Sequence, residues 1–145
     1  MSNTGIVLVS HGQFANEALK SAEMIVGKQK NVATVSLEFG QNLEDLLNEM
    51  EKAEERLDLS DGVIIFCDVY GGTPSNAAAT ELIKYQDKRK IAAYSGLNMP
   101  VMLELFSNRH QTFEKLLPII EKAFGDSWKR LGNKQTTEKE VGGTL

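Results

Sequence analysis

Hydrophobic positions along the chain change repeatedly between two spacings. Four short runs are continuously apolar or rich in β-branched residues, as expected of buried strands: Gly5–Ser10, Val32–Leu37, Val63–Asp68 and Ile91–Ser95. Apolar residues recur at helical spacing in the segments that begin at Phe14, Leu43, Thr73, Pro100 and Phe113. The pattern therefore predicts strands that alternate with helices.

Residues at the predicted helix ends sharpen these boundaries. Gly27 is expected to end the first helix, and Asn42 is expected to cap the second. Thr73 is predicted as the N-cap of the third helix, with Pro74 at its first helical position. Pro118 lies inside the last apolar stripe, so we expect a kink or a break at that position.

This alternation of strands and helices predicts an α/β domain with a doubly wound, mainly parallel sheet. Right-handed crossover connections favour the flavodoxin-like strand order 2-1-3-4. Residues 1–131 are expected to form this single domain. Residues 132–145 lose all apolar periodicity and are expected to form a flexible tail.

Composition narrows the class of protein. With 145 residues, 41% of them hydrophobic and 25% charged, the chain is typical of one globular domain. A net charge of −4 with dispersed basic residues disfavours nucleic-acid binding. The apolar runs are too short to cross a bilayer and no secretory signal precedes them, which predicts a cytoplasmic location.

The single Cys67 excludes an internal disulfide framework, and Met24, Met50 and Met102 are interpreted as core side chains.

Residues capable of chemistry follow the first and third strands. In the expected sheet these strands are neighbours at the point where strand order reverses, and ligands bind beyond their carboxyl ends. His11 and Asp68 are therefore expected to meet in one crevice. A carboxylate that accepts from Nδ1–H fixes the imidazole tautomer and leaves the Nε2 lone pair free. Because neither segment supplies a Ser or Cys nucleophile with a base, His11 is the candidate nucleophile.

A phosphate cradle is predicted beside this histidine. Gly71 and Gly72 let backbone amides approach an anion closely, and the helix that starts near Thr73 adds unpaired amides and a hydroxyl. A histidine next to such a cradle points to phosphoryl transfer through a phosphohistidine. No metal or other cofactor is expected, since no carboxylates cluster to hold a metal ion. The simpler interpretations are that His11 is a surface residue, that Asp68 merely ends a strand, and that the glycines only form a turn.

Three segments carry a resemblance to a known family: VLVSHG ending at Gly12, DVYGGTPSNAA beginning at Asp68, and SGLNMPVMLE beginning at Ser95. Together and in this order they resemble the enzyme IIA components of the mannose family of sugar phosphotransferase systems, over residues 5–131. The resemblance implies a phosphocarrier of the cytoplasm with a doubly wound α/β fold.

The resemblance also implies partners and residue roles. His11 would accept a phosphoryl group from the phosphocarrier protein HPr and pass it to a IIB component, which acts with the membrane components IIC and IID. Asp68 matches the carboxylate partner of the family's histidine, and Gly72 and Thr73 match its phosphate-side amides and hydroxyl. The family is typically a homodimer that exchanges a C-terminal strand, for which Ser127–Leu131 is the counterpart in this sequence.

Two other functions are open at this point. His11 could carry a regulatory phosphoryl group rather than a relayed one, and the sequence does not separate the two. A histidine-phosphatase-like hydrolase also places His-Gly after its first strand, but it requires an Arg where Ser10 stands here. The transported sugar is not identified, because the resemblance implies that a IIA component contacts proteins rather than sugar.

Overall fold

A computed structural model of the protein describes residues 3–132. Its elements follow one another in the order β1 (Gly5–His11), α1 (Phe14–Val26), β2 (Val32–Leu37), α2 (Leu43–Glu54), β3 (Val63–Cys67), α3 (Thr73–Tyr85), β4 (Ile91–Ser95), α4 (Met99–Ser107) and α5 (Phe113–Gly125). The strands form one parallel sheet in the order β2-β1-β3-β4, which confirms the predicted topology. None of the helices in this range is both long and apolar enough to cross a membrane.

Alternate side chains of β1 pack into two separate cores. Ile6 and Leu8 face the core formed with α1, α4 and α5, whereas Val7 and Val9 face the core formed with α2 and α3. All four side chains are fully buried, and β3 is buried along its whole length. Helices thus cover both faces of the sheet, which explains why these two strands are continuous apolar runs.

The predicted ends of α1 and α2 are confirmed. Oδ1 of Asn42 accepts the main-chain N–H of Asp45 at 2.9 Å, while the Asp45 carboxylate accepts the N–H of Asn42 at 3.0 Å. This reciprocal pair is a capping box, which satisfies two otherwise unpaired amides at the start of α2. Gly27 ends α1 with a φ of 89°, a conformation that favours glycine.

The start of α3 differs from the prediction that Thr73 caps this helix. Gly72 is the N-cap, and its carbonyl accepts the first intrahelical hydrogen bond from the N–H of Asn76 at 3.0 Å. Gly72 adopts a φ of 94° and a ψ of 176°, a conformation essentially reserved for glycine. The chain therefore enters the helix one residue earlier than the Thr-Pro pattern indicates, and the Thr73 hydroxyl makes no capping bond.

Two expectations about the other helices are corrected. Of the kink or break predicted at Pro118, the break does not occur, because α5 runs continuously through this residue. Pro118 and Glu114 are both exposed, so the Glu114 carbonyl that loses its intrahelical partner is open to water. Met24 is 76% exposed rather than part of the core, because it lies on the outer face of α1; Met50 and Met102 are buried as predicted.

The segment Ser127–Leu131 is irregular in this single chain rather than a strand. Among the described strands, β4 pairs with β3 alone, which leaves its outer edge without a strand partner. Exchange of a strand between two copies is a property of an assembly, so it stays a prediction. The predicted tail lies outside the described residues except for Gly132, and the predicted domain bounds are likewise not tested.

Candidate functional site

The two predicted reactive side chains lie at the same end of the sheet, where the strands have their carboxyl ends. His11 is the last residue of β1, and Asp68 directly follows β3. These strands pair in parallel with Val9 opposite Cys67, so their carboxyl ends are adjacent. The carboxyl ends of β1 and β3 also mark the point where the strand order reverses, since β2 flanks β1 on one side and β3 flanks it on the other.

The imidazole of His11 and the carboxylate of Asp68 are in direct contact. Nδ1 of His11 lies 2.7 Å from Oδ2 of Asp68, and the same oxygen accepts the main-chain N–H of His11 at 2.9 Å. Oδ1 of Asp68 accepts the N–H of Val69, also at 2.9 Å. An ionised carboxylate only accepts hydrogen bonds, so Nδ1 carries the proton and the Nε2 lone pair is available.

These contacts favour a negative charge on Asp68. Burial raises the pKa of this carboxyl, whose side chain is 13% exposed. The main-chain N–H and ring of His11, together with the N–H of Val69, outweigh burial and hold the pKa of Asp68 below its usual value. Asp68 is therefore an anion at neutral pH, placed to stabilise positive charge that develops on the imidazole. The His11 side chain itself is 53% exposed.

Gly72 brings the main chain against the free side of the imidazole. A Cβ placed on Gly72 would lie 3.5 Å from Cε1 and 3.7 Å from Nε2 of His11, whereas a Cβ on Gly71 would meet no atom of residues 3–132 within 4 Å. Both glycines have positive φ, 81° at Gly71 and 94° at Gly72. Of the two predicted glycines, only Gly72 adjoins the ring, while Gly71 shapes the turn that leads to it.

The N-terminus of α3 adds hydrogen-bond donors next to this turn. The main-chain N–H groups of Gly72, Thr73 and Ser75 precede the first intrahelical bond of α3, and Pro74 has no N–H to contribute. The half-buried Thr73 hydroxyl is not used to cap the helix. Unpaired amides and the positive end of the helix dipole together favour an anion here, as the sequence predicts.

The neighbouring hydroxyl of Ser10 has a structural role instead. Ser10 is fully buried, and its Oγ accepts the N–H of Ala15 at 2.8 Å and donates to the carbonyl of Gly12 at 3.3 Å. Ser10 thereby satisfies a first-turn amide of α1, whose N-cap residue Gln13 makes no side-chain capping bond. It fixes the turn after β1 and does not present a free nucleophile.

Cys67 is a core residue, and His110 lies at the other end of the sheet from His11. Cys67 is buried in β3, and burial raises the pKa of its thiol, as expected of an inert core residue. His110 is exposed after α4, and the preceding Arg109 donates to the carbonyl of Thr4, just before β1. His110 is therefore at the amino end of the sheet, opposite His11. Within residues 3–132, no three His, Cys, Asp or Glu side chains cluster to hold a metal ion.

Sequence reasoning missed a set of exposed apolar side chains near the crevice, which we call the apolar rim: Phe14, Phe39, Val69 and Tyr70. Each follows the carboxyl end of a strand, which is the signal that could have found them. Helical spacing instead grouped Phe14 with the buried stripe of α1. Exposed apolar side chains at this end of the sheet are available for contact with a partner.

The sequence matches a family model described as PTS system fructose IIA component, over residues 5–124. It is 31% identical over 128 residues to the mannose-specific EIIAB component of Escherichia coli K12, a match that covers 87% of this chain and 39% of that relative. This chain therefore spans well under half the length of that relative. It is also 31% identical over 146 residues to the fructose-specific EIIA component of Bacillus subtilis, covering 94% of this chain and 98% of the relative.

Solved structures with similar names share the fold. Phosphotransferase system component EIIA from Streptococcus agalactiae gives a TM-score of 0.78 at 25% identity, over 88% of this chain and 96% of the other. The mannose/sorbose specific IIA subunit from Enterococcus faecalis gives 0.79 at 22% identity, over 90% and 96% of the two chains. At 22% identity the likeness to this second structure shows the fold alone.

Proposed function

This chain belongs to the mannose-type enzyme IIA family of the sugar phosphotransferase system, and we propose that it relays a phosphoryl group on Nε2 of His11. Members of the family are phosphotransferase components. The proposed donor is phospho-HPr, the proposed acceptor is a IIB component, and the proposed location is the cytoplasm. The contact between Nδ1 of His11 and Oδ2 of Asp68 carries the proposal, because it leaves Nε2 free beside the Gly72 turn.

Transfer would proceed in line at Nε2 of His11. Its lone pair forms a bond to the phosphorus of phospho-HPr while the donor's phosphorus–nitrogen bond breaks, and that electron pair stays on the donor nitrogen. Nδ1 keeps its proton, so the His11 ring becomes cationic and Asp68 stabilises the charge. Amides of Gly72 and of the first turn of α3, with the Thr73 hydroxyl, hold the phosphoryl oxygens. The same steps, with His11 as donor, deliver the group to the IIB component.

The openness of the site supports donors and acceptors that are themselves proteins. The His11 side chain is 53% exposed, and the apolar rim lies at the same edge of the sheet. A protein partner can cover this rim while its own histidine reaches Nε2. Membrane components IIC and IID would then be reached through IIB rather than by direct contact. The homodimer is proposed on the family resemblance.

The experiment uses radiolabelled phospho-HPr with the wild-type chain, His11→Ala and the control His110→Ala. We expect label on the wild type and on His110→Ala, and none on His11→Ala. Retention of label by His11→Ala in a folded protein would refute the assignment. His110 is a matched control because it is the other histidine of the chain and lies at the opposite end of the sheet.

A second stage of the experiment separates relay from the alternative functions. Purified IIB component is added to the labelled chain, and we expect the label to move to IIB. Label that stays on His11 would indicate a regulatory phosphohistidine module instead. Label released as free phosphate in the absence of IIB, at a rate comparable to acceptance, would indicate a hydrolase.

A further inference from the structure

Two carboxyl groups face each other between α2 and α3, away from the site described above. Glu54 is the last residue of α2 and is 7% exposed, while Glu81 lies within α3 and is 1% exposed. The two helices pack against each other, and the pKa of each carboxyl responds to a side-chain hydrogen bond with the other. Oε2 of each group is buried without a hydrogen-bond partner among the described residues.

An ionised carboxylate can only accept hydrogen bonds, so two ionised groups in this position could not satisfy each other. Both would be buried anions in contact, which is strongly unfavourable in a region shielded from water. A single proton removes the conflict, because the protonated carboxyl becomes a donor to the other. With one proton the two carboxyls can form a hydrogen bond, and without it they repel each other.

The charged and titratable groups around the pair do not replace that proton. From α2 it is approached by Glu51 and Glu55, from α3 by Lys84 and Tyr85, and from the turn after α3 by Arg89. Lys84 is paired with Glu51, whose Oε1 also accepts the Tyr85 hydroxyl at 2.9 Å. The Arg89 guanidinium lies over the Tyr85 ring, 4.0 Å from its centroid. Lys84 is therefore engaged elsewhere, while Arg89 lowers the pKa of both carboxyls but does not overcome their burial.

We propose that Glu54 and Glu81 share one proton, and that the resulting hydrogen bond, which we call the clasp, holds α2 against α3. Loss of this proton as the pH rises past neutrality loosens the contact between the two helices. One of the two helices, α3, is the helix whose N-terminus adjoins His11. Burial, and then the charge of Glu81, raise the pKa of Glu54 to about 7, although Arg89 acts in the opposite direction. Burial likewise raises the pKa of Glu81.

The direction of the pH effect follows from where the proton is held. A glutamate in the unfolded chain ionises near its ordinary value of 4.5, whereas Glu54 in the folded chain keeps its proton to about 7. Between these values the folded state binds more protons than the unfolded state, so the stability of the fold decreases as the pH rises. The clasp is closed at the acidic end of this range and open at the alkaline end.

The test is urea unfolding of the full chain at pH values of about 5.5, 7 and 8.5, which span the expected loss of the proton. The variants are Glu54→Gln, whose amide donates at every pH, and the control Glu55→Gln, which changes the exposed neighbour. The wild type and Glu55→Gln should lose stability as the pH rises, whereas Glu54→Gln should lose much less and exceed the wild type at the alkaline end. Parallel pH dependence of Glu54→Gln and the wild type would overturn the proposal.

A second measurement needs no variant. The infrared spectrum of the wild-type protein should contain the carbonyl stretch of a protonated carboxylic acid at pH of about 6, and this band should fade by about pH 9. A spectrum without that band at the lower pH would show that neither carboxyl holds a proton, and it would overturn the proposal even if Glu54→Gln failed to fold.

Discussion

Nδ1 of His11 and Oδ2 of Asp68 lie 2.7 Å apart although 57 positions separate the two residues in the chain. The parallel pairing of β1 and β3 brings the strand ends together, and Oδ2 also accepts the main-chain N–H of His11 at 2.9 Å. The carboxylate therefore holds both the backbone and the ring of the histidine. The orientation of the imidazole is set by the sheet itself rather than by a bound partner.

Replacing Asp68 by Asn should slow phosphoryl acceptance without unfolding the chain. The Asn amide oxygen can still accept from Nδ1–H, but it carries no charge to stabilise the cationic ring. We expect the initial rate of label transfer from phospho-HPr to fall by about tenfold or more, since each 1.4 kcal/mol lost from the transition state is tenfold in rate. A rate equal to that of the wild type would mean that Asp68 has only a structural role.

Asp68 should also contribute stability that disappears in acid. Its pKa in the folded chain lies below the usual value, so the folded state releases this proton more readily than the unfolded state. The contribution is complete above the unfolded value of 3.8 and is lost as the pH falls through the folded value. Unfolding free energies of the wild type and Asp68→Asn should thus differ by about 1–3 kcal/mol at neutral pH and converge in acid. A constant difference across the titration would contradict this assignment.

Gly72 and Gly71 provide a matched pair of substitutions at the turn. Alanine at either position meets a positive φ and should cost about 1–3 kcal/mol of stability. Only the new methyl group of Gly72→Ala would touch the imidazole, at 3.5 Å from Cε1 and 3.7 Å from Nε2. We expect Gly72→Ala to lose most phosphoryl acceptance and Gly71→Ala to keep it, with label incorporation compared at equal folded fraction. Equal losses would show that backbone strain, not the methyl group, is responsible.

Much of the fold could be predicted because local pattern and burial coincide in it. β1 and β3 are buried on both faces, so their continuous apolar runs identify them and place them centrally in the sheet. The errors arise where tertiary context decides the outcome. The N-cap of α3 is Gly72 because the turn beside His11 requires a glycine conformation, and α5 tolerates Pro118 because that face of the helix is exposed.

The candidate site was predictable for a topological reason. Once β1 and β3 are neighbours, His11 and Asp68 must emerge together, and that placement needs no knowledge of side-chain packing. The local residue pattern could not distinguish Gly71 from Gly72, because which glycine adjoins the ring depends on the path of the turn; only the family resemblance pointed to Gly72. It also could not reveal the buried contact between Glu54 and Glu81, which depends on how α2 and α3 pack against each other.

Thr73→Val tests whether the hydroxyl at the start of α3 takes part in transfer. The substitution keeps the branched shape, and because this hydroxyl does not cap α3, stability should change by less than about 1 kcal/mol. Loss of one donor to the phosphoryl oxygens should slow acceptance from phospho-HPr by about tenfold, and Thr73→Ser should restore the rate because it returns the hydroxyl. If folded Thr73→Val accepts label at the wild-type rate, the hydroxyl takes no part in transfer. The phosphoryl oxygens would then be held by the main-chain amides alone.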